Sequence, residues 1–343
     1  MHVLIVKPSS IGDVLHTFPA VAWLRAALKG ATISWVVNEE LAGVVRLCPG
    51  IDRIVPFPRR RAANPVVLWR FLRDLRSEKY DVALDFQGLF RSGFIARASG
   101  APLRYGFAHA REGAVWFYNR LVKLAEMHCH AADKNLALVR QAFGDSSPLE
   151  PPDTGLLIPP EGEQEAQRLL AELPGDGPVV AVCFSSRWPS KNWPLNFLAD
   201  VLNALADQLP KVRCWLLGTA GDRETGEQLV SLASRAKPTN LAGRTTLEVL
   251  AALLRRSNAM LTVDSGPMHL AAALGVRCFA LFGSTDPMLT GPYGAQHLLT
   301  VSHCPQAPCF ERHCPRQADC SEGMDAVALA RQMANHLTTE NCP

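Results

Sequence analysis

Met260-Leu261-Thr262-Val263-Asp264-Ser265-Gly266-Pro267-Met268-His269-Leu270-Ala271-Ala272-Ala273-Leu274-Gly275 joins a short apolar run to a polar turn and then to a helix-forming segment. The run through Val263 has the length and composition of a buried strand. Pro267 suits the first turn of a helix, and Gly275 suits its end. Gly266 lets the backbone approach a ligand closely, the free N–H groups of the helix start attract an anion, and Asp264 and His269 bring side chains to the same mouth. A well-capped helix in any α/β protein has some of these features, so the rest of the chain must decide between the two readings.

Working outward, strand-length apolar runs alternate with segments of helical period. Val3–Lys7, Thr32–Val37, Ile51–Phe57 and Asp81–Phe86 read as strands, with helices expected over Asp13–Leu28, Glu39–Leu47 and Val66–Ser77. The character changes between Gly144 and Pro178, where Ser146-Ser147-Pro148, Pro151-Pro152, Pro159-Pro160 and Gly177-Pro178 surround one helical segment, Gly162–Leu173. Alternation then resumes, with strands at Val179–Phe184, Arg213–Leu217, Ala259–Val263 and Arg277–Phe282. Helices are expected at Leu195–Gln208, Arg223–Ser234, Leu247–Arg256 and Pro267–Leu274. Repeated β-α units imply parallel sheets covered on both faces. The expectation is an α/β chain of two doubly wound, Rossmann-like domains, residues 1–155 and 179–343, joined by a linker region at 156–178 and facing a central cleft.

The chain has 343 residues, 48% hydrophobic and 20% charged, which describes a globular protein. Its apolar runs are shorter than the roughly 18 residues of a membrane span. The opening Met1–Pro8 reads as a first strand rather than a secretion signal, so a cytoplasmic protein is expected. Net charge is +3, unevenly spread: 20 Lys and Arg oppose 13 Asp and Glu in residues 1–150, against 15 and 19 in the remainder. A basic first half points to an anionic partner or membrane surface there, and the acidic second half argues against nucleic acid.

Two further stretches carry chemistry. In Lys7-Pro8-Ser9-Ser10-Ile11-Gly12-Asp13-Val14-Leu15-His16, a strand ends at Lys7 and a helix begins near Asp13. With Gly12 as its single glycine, the turn lacks the G-x-G-x-x-G dinucleotide fingerprint. Asp13 has two readings, a first-turn acid complementing the helix dipole or a carboxylate that accepts a proton from a substrate hydroxyl. Ser185-Ser186-Arg187-Trp188-Pro189-Ser190-Lys191 follows the first strand of the second half. Hydroxyls at a strand end and a lysine suit phosphate oxygens, and Lys191 could stabilise a departing diphosphate without a metal. A solvated loop lysine is the alternative.

Taken together, Lys7-x-Ser9-Ser10-x-Gly12-Asp13-Val14-Leu15-His16, the Ser185-Ser186-to-Lys191 loop and Asp264-Ser265-Gly266-x-x-His269-Leu270 resemble glycosyltransferase family 9, the ADP-heptose lipopolysaccharide heptosyltransferases. Leu84–Ser92, Ala110-Arg111-Glu112 and Phe117-Tyr118-Asn119-Arg120 are similar to the heptosyltransferase I branch, which acts on Kdo-lipid A. The resemblance runs from residue 1 to about residue 300. It implies a GT-B fold with acceptor on the first domain and nucleotide-sugar on the second, and an inverting transfer with no required metal or cofactor and ADP-heptose as donor substrate. Asp13 would be the general base. Ser185, Ser186 and Lys191 would hold the diphosphate, Asp264 would lie near the heptose, and Ser265, Gly266 and His269 would complete the phosphate and sugar contacts. Thr245, after Arg244, falls where the family lines its adenine pocket. Ser10, Gly12, Arg59, Arg60, Arg61 and Arg120 would meet the acceptor, an anionic glycolipid at the cytoplasmic face of the inner membrane, arginine suiting its phosphates and carboxylates.

Other residues keep two readings. Arg70, Arg73 and Arg76 recur on one helical face, as acceptor contacts or as a solvated basic surface. Trp69, beside Val66, Val67 and Leu68, is expected in the core, with lipid contact as the alternative. His16 could tune Asp13 or simply occupy a helix face, and Asp222 and Glu224 could reach a ribose hydroxyl or serve as first-turn acids. Cys304, Cys309, Cys314 and Cys320, with His303 and His313, form a cluster similar to that of heptosyltransferase II. Four thiols this close could bind a structural zinc, form disulfides or remain reduced; the cluster lacks the paired C-x-x-C spacing of a strong zinc site, persistent disulfides are not expected in a cytoplasmic protein, and no catalytic role is placed on it. Cys183, Cys214 and Cys278 read as small core residues. The alternatives to heptosyl transfer onto Kdo-lipid A are a heptosyltransferase II-like or other nucleotide-sugar transferase to a glycolipid, a non-catalytic binder of ADP or glycolipid, and a nucleotide-sugar epimerase.

Overall fold

A computed structural model describes residues 1–126, 128–145, 154–173, 175–314 and 320–339. Ser146-Ser147-Pro148 and Pro151-Pro152, read from the sequence as part of the linker, lie outside the described residues. The chain divides into two compact units, Met1–Leu157 and Ile158–Pro343.

In the first unit the order is β1 (His2–Val6), α1 (Ile11–Leu15), α2 (Phe18–Ala27), β2 (Thr32–Asn38), α3 (Ala42–Arg46), β3 (Arg53–Phe57), α4 (Pro65–Ser77), β4 (Val82–Asp85), α5 (Phe90–Ala98), β5 (Leu103–Phe107), β6 (Arg120–Val122) and α6 (Ala131–Ala142). The strands form one parallel sheet ordered β3-β2-β1-β4-β5-β6. Val3, Leu4, Ile5 and Val6 of β1 are wholly buried, as expected of a central strand covered on both faces. Parallel crossovers are right-handed, so α2 and α3, which lead outward toward β3, clothe one face, and α4 and α5, which lead the other way, clothe the opposite face. The packing agrees, α2 lying against α6 and α4 against α5.

The second unit contains α7 (Pro160–Ala171), β7 (Val179–Cys183), α8 (Leu195–Gln208), β8 (Arg213–Leu217), α9 (Arg223–Leu232), β9 (Thr239–Asn240), α10 (Leu247–Arg255), β10 (Ala259–Val263), α11 (Gly266–Ala273), β11 (Cys278–Phe282), α12 (Pro287–Thr290), β12 (Leu298–Val301) and α13 (Ala326–Thr339). Its parallel sheet is ordered β12-β11-β10-β7-β8-β9, which repeats the topology of the first. The two Rossmann-like units implied by the GT-B resemblance are therefore both present. In each, the strand order reverses between two central strands, β1 and β4 in one and β7 and β10 in the other, and ligands of such sheets bind beyond the carboxyl ends at that point. Helix α7 packs on α10, and α13 packs on α8, burying Leu329, Ala330 and Met333 in the core of this unit. No helix among the described residues is long and apolar enough to cross a membrane.

The structure departs from the expected elements in several places. The single helix expected over Asp13–Leu28 starts earlier, at Ile11, and is broken in two, because Pro19 in the first turn of α2 cannot continue the ladder from α1. Glu39–Leu47 is likewise a 3-10 turn, Glu39–Leu41, followed by the short α3. Trp69 is not in the core: it is 59% exposed. Helix α4 turns Leu68, Phe71, Leu72 and Leu75 toward the sheet, and this i, i+3, i+4, i+7 stripe leaves Val66, Trp69, Arg70 and Arg73 on the far side. An apolar run read in chain order had hidden that division.

Candidate functional site

The first cluster stands at the switch point of the first sheet. Lys7 closes β1, 5% exposed, and its Nζ donates to the Phe86 carbonyl at 2.9 Å, just beyond β4. The same ammonium lies 3.5 Å from Asp13 Oδ1. The other oxygen, Oδ2, accepts from the Ser10 N–H at 2.9 Å and from the Ser10 hydroxyl at 2.7 Å. Asp13 is thus the third helical residue of α1, with Ser10 at the cap, and the carboxylate satisfies a cap N–H otherwise without a helical partner. It remains 42% exposed on its side chain. Desolvation opposes its charge, but the Lys7 ammonium and the two Ser10 donors outweigh that effect and hold the carboxyl below the usual carboxylate range. Asp13 is consequently ionised at neutral pH, ready to accept a proton.

A second layer fixes this loop. Ser9 N–H donates to Gln87 Oε1 at 3.3 Å, while Gln87 and Gly88 donate their own N–H groups to Asp85 Oδ1. Asp85 is fully buried and its other oxygen accepts from Tyr118 Oη at 2.6 Å. Burial raises the Asp85 carboxyl above its ordinary value despite these donors. His16, one turn beyond Asp13, is buried and packs edge-on against His130 at 4.8 Å between ring centroids.

The second cluster occupies the corresponding place in the other sheet. Asp264 follows β10, 4% exposed, and its Oδ2 accepts from Lys191 Nζ at 2.7 Å and from Thr285 Oγ1 at 2.6 Å. Lys191 ends the short turn Pro189–Lys191 after β7 and also stands over the Trp188 ring at 5.1 Å. Three neighbouring parallel strands, β7, β10 and β11, thereby deliver one cation, one anion and one hydroxyl to a single point. Ser190 is buried behind it, its hydroxyl donating to the Glu311 carbonyl and lying 3.1 Å from Ser284 Oγ. Ser265 caps α11, but its hydroxyl lies within 3.3 Å of both Cys183 Sγ and Thr262 Oγ1, beneath the loop. Gly266 is the first residue of α11 and His269 is buried one turn on. Gly275 ends this helix with φ of +78°, a left-handed value that suits glycine.

Ser185 and Ser186 follow β7, and the Ser185 hydroxyl donates to Asp222 of the Thr219–Asp222 turn. The Ser186 N–H donates to Asn192 Oδ1 at 2.7 Å. Asp222 accepts from the Thr219 N–H at 2.7 Å; partial burial works against its charge, but the Thr219 and Ser185 hydroxyls hold its carboxyl low. Glu224 is exposed in the first turn of α9. Thr245 is half-buried just before α10, and its neighbour Arg244 pairs with Glu172 of the same unit.

The proposed acceptor residues are not all gathered. Ser10 and Gly12 share the Asp13 loop. Arg59, Arg60 and Arg61 form one exposed 3-10 turn after the edge strand β3, with Arg61 paired to Glu39. Arg120 opens β6 at the other edge, in register with Tyr105, Leu84 and Ile5, at mid-height of the sheet. Five strand spacings separate these edges, on the order of 24 Å. Cys183, Cys214 and Cys278 are buried in β7, β8 and β11. Among the described residues no group of three His, Cys, Asp or Glu side chains converges on a metal position, and residues 315–319 between Cys314 and Cys320 lie outside them.

Reading the sequence did not pair Asp13 with Lys7 or Asp264 with Thr285. Lys7 belonged to the quoted motif without a role, and Thr285 had none, although Gly283-Ser284-Thr285 follows a buried strand as the other loops do. The Lys7 geometry makes a testable statement. Replacing it in Lys7→Gln removes the cation that favours the Asp13 carboxylate, so the Asp13 pKa rises. In a pH profile of kcat/KM the acid limb should move to higher pH, and an unmoved limb would separate Lys7 from the titrating group.

The sequence profile of glycosyltransferase family 9 (heptosyltransferase) matches residues 68–318. Lipopolysaccharide heptosyltransferase 1 of Pseudomonas aeruginosa is 32% identical over 330 residues, covering 92% of this chain and 88% of the relative. The protein of the same name from Escherichia coli K12 is 30% identical over 87% of this chain and 93% of its own length. Among solved structures, E. coli heptosyltransferase WaaC with ADP superposes with a TM-score of 0.79 at 28% identity, covering 98% of this chain and all of that one.

Proposed function

Because the chain belongs to glycosyltransferase family 9, the heptosyltransferases, we propose that it transfers heptose from ADP-heptose to the Kdo of a Kdo-lipid A type acceptor, in assembly of the lipopolysaccharide inner core. The observation that carries the reading is the pair of clusters at equivalent switch points, an ionised carboxylate on one sheet and a Lys-Asp-Thr triad beside a helix start on the other. Inversion by a single displacement needs the nucleophile and the leaving group on opposite faces of the anomeric carbon. Asp13 takes the proton of the acceptor hydroxyl as the new C–O bond forms. ADP departs with the electron pair of the old bond, its growing charge met by Lys191, by the Ser185 and Ser186 loop and by the N–H groups of α11. Asp264 positions the Lys191 ammonium and lies near the heptose, with Ser265, Gly266 and His269 lining the helix start and Thr245 the adenine. No cofactor or metal is assigned a step.

In this reading residues 1–155 bind the acceptor, residues 156–178 form a linker region whose helix α7 packs on α10 of the second unit, and residues 179–343 bind the nucleotide-sugar. Ser10, Gly12, Arg59, Arg60 and Arg61 meet an anionic glycolipid at the cytoplasmic face of the inner membrane; Arg120, expected with them, opens the strand at the opposite edge of the sheet and is left without that role. The testing experiment offers a panel of nucleotide-sugars with Kdo-lipid A, and separately with heptosylated Kdo-lipid A, and follows ADP release. The expected result is turnover with ADP-heptose and Kdo-lipid A. Turnover confined to the heptosylated acceptor would move the enzyme one step later, and donor consumption without any acceptor would abandon transfer altogether.

A further inference from the structure

We propose that the face of the first unit clad by α4, α5 and the turn Ala114–Phe117 seats the protein on an anionic lipid bilayer. The inference adds a lipid-facing surface to the glycolipid-acceptor reading above, from which it draws its purpose, but its evidence lies in residues outside the reacting site.

Right-handed crossovers put these three elements on one side of the sheet, and α5 packs against both α4 and the turn. Their outer surface is studded with large apolar side chains. Val66 and Trp69 project from α4, Phe90 and Phe94 from α5, and Trp116 from the turn, at 81% exposure the barest of the five. Phe90 and Phe94 both stack edge-on against Phe117, at 5.1 and 6.2 Å between centroids, which ties helix and turn into one surface. Trp116 lies over Gly113, whose φ of +72° and missing side chain leave room for the indole. A monomer in water gains nothing from holding several aromatic rings in the open on one face. Tryptophan at an interface between lipid headgroups and acyl chains satisfies both its apolar body and its N–H.

Charge selects the occupant. Helix α4 carries three arginines, Arg70, Arg73 and Arg76, against the single carboxylate of Asp74. Arg73 pairs with Asp74 and stacks on Trp69 at 5.1 Å, placing a guanidinium beside an exposed indole. On α5, Arg91 is exposed next to Phe90 and lies over the Phe57 ring at 6.0 Å. Glu112, near the start of α5, accepts from the Phe90 N–H. Arginines interleaved with Trp and Phe match an interface of anionic headgroups over hydrocarbon, where each nearby basic residue adds to the attraction. An apolar protein partner would leave the guanidinium row without counter-charges.

The test is co-sedimentation of the full chain with vesicles of phosphatidylcholine alone or mixed with phosphatidylglycerol, neither containing any lipopolysaccharide precursor. Binding should require the anionic lipid and weaken with salt. Trp69→Ser combined with Trp116→Ser should weaken it about tenfold, while turnover on a water-soluble acceptor lacking acyl chains stays unchanged. Arg70→Gln with Arg73→Gln should lower binding mainly at low salt. A wild-type chain that stays in the supernatant, or a tryptophan double variant that binds like wild type, overturns the proposal. So does a concentration-dependent dimer, formed without vesicles, that the double variant dissolves, since the face would then belong to a second copy. If the wild-type chain turns over no acceptor at all, the transfer reading fails while the vesicle result still stands by itself.

Discussion

Asp13→Asn should lower kcat by about a thousandfold, within the range of roughly a hundred- to ten-thousandfold typical for loss of a positioned base. Asparagine preserves the shape of the side chain and one oxygen to accept the Ser10 N–H, so α1 keeps its cap and the protein its fold. What disappears is the ability to take a proton. ADP affinity, measured by calorimetry, should stay within about twofold, because the nucleotide is assigned to the other unit. The rate loss should persist at every pH, unlike that of the Lys7 variant, since an amide does not titrate in the working range. A kcat close to wild type would reduce Asp13 to a capping residue, the alternative its place in the first turn of α1 always offered.

Lys191→Met should cost nearly as much, by another route. The variant removes the cation assigned to the leaving diphosphate, an electrostatic contribution worth about a hundred- to a thousandfold in kcat. It also strips Asp264, which is 4% exposed, of its ion-pair partner and leaves the Thr285 hydroxyl to support a buried carboxylate. The thermal midpoint should therefore fall together with kcat. Lys191→Arg separates the two effects: the positive charge is kept, so much of the stability returns, but a planar fork replaces a point charge and the rate recovers incompletely. A midpoint that drops while kcat remains at the wild-type level would make the Lys191–Asp264 pair structural and relocate the diphosphate.

Much of the architecture could be read from the order of residues. Buried parallel strands are continuous apolar runs, and a helix in a β-α unit has its own period, so the segments from Val3 to Phe86 and from Val179 to Phe282, the two-residue β9 excepted, could be read. Helix α13 escaped notice because its core residues, Leu329, Ala330 and Met333, follow a cysteine-bearing stretch with no alternation. The three-residue strand β6 was too short to leave a pattern.

The candidate site divides along the same line. Asp13, Lys191 and Asp264 could be picked out by residue number because a strand-to-helix turn puts its chemistry in a few consecutive residues, and local sequence dictates such turns. Their partnerships could not. Lys191 and Asp264 are far apart in the chain and meet because β7 and β10 are neighbours at the switch point; Lys7 reaches Phe86 because β1 and β4 are. Sheet order likewise separated Arg120 from Arg59–Arg61, and the packing stripe of α4 turned Trp69 outward. The sequence by itself determined which residues end strands and begin helices, since hydrophobic period and turn chemistry act over a few residues. The tertiary structure alone decided which of those ends lie side by side, because pairing of strands distant in the chain depends on burying whole faces at once.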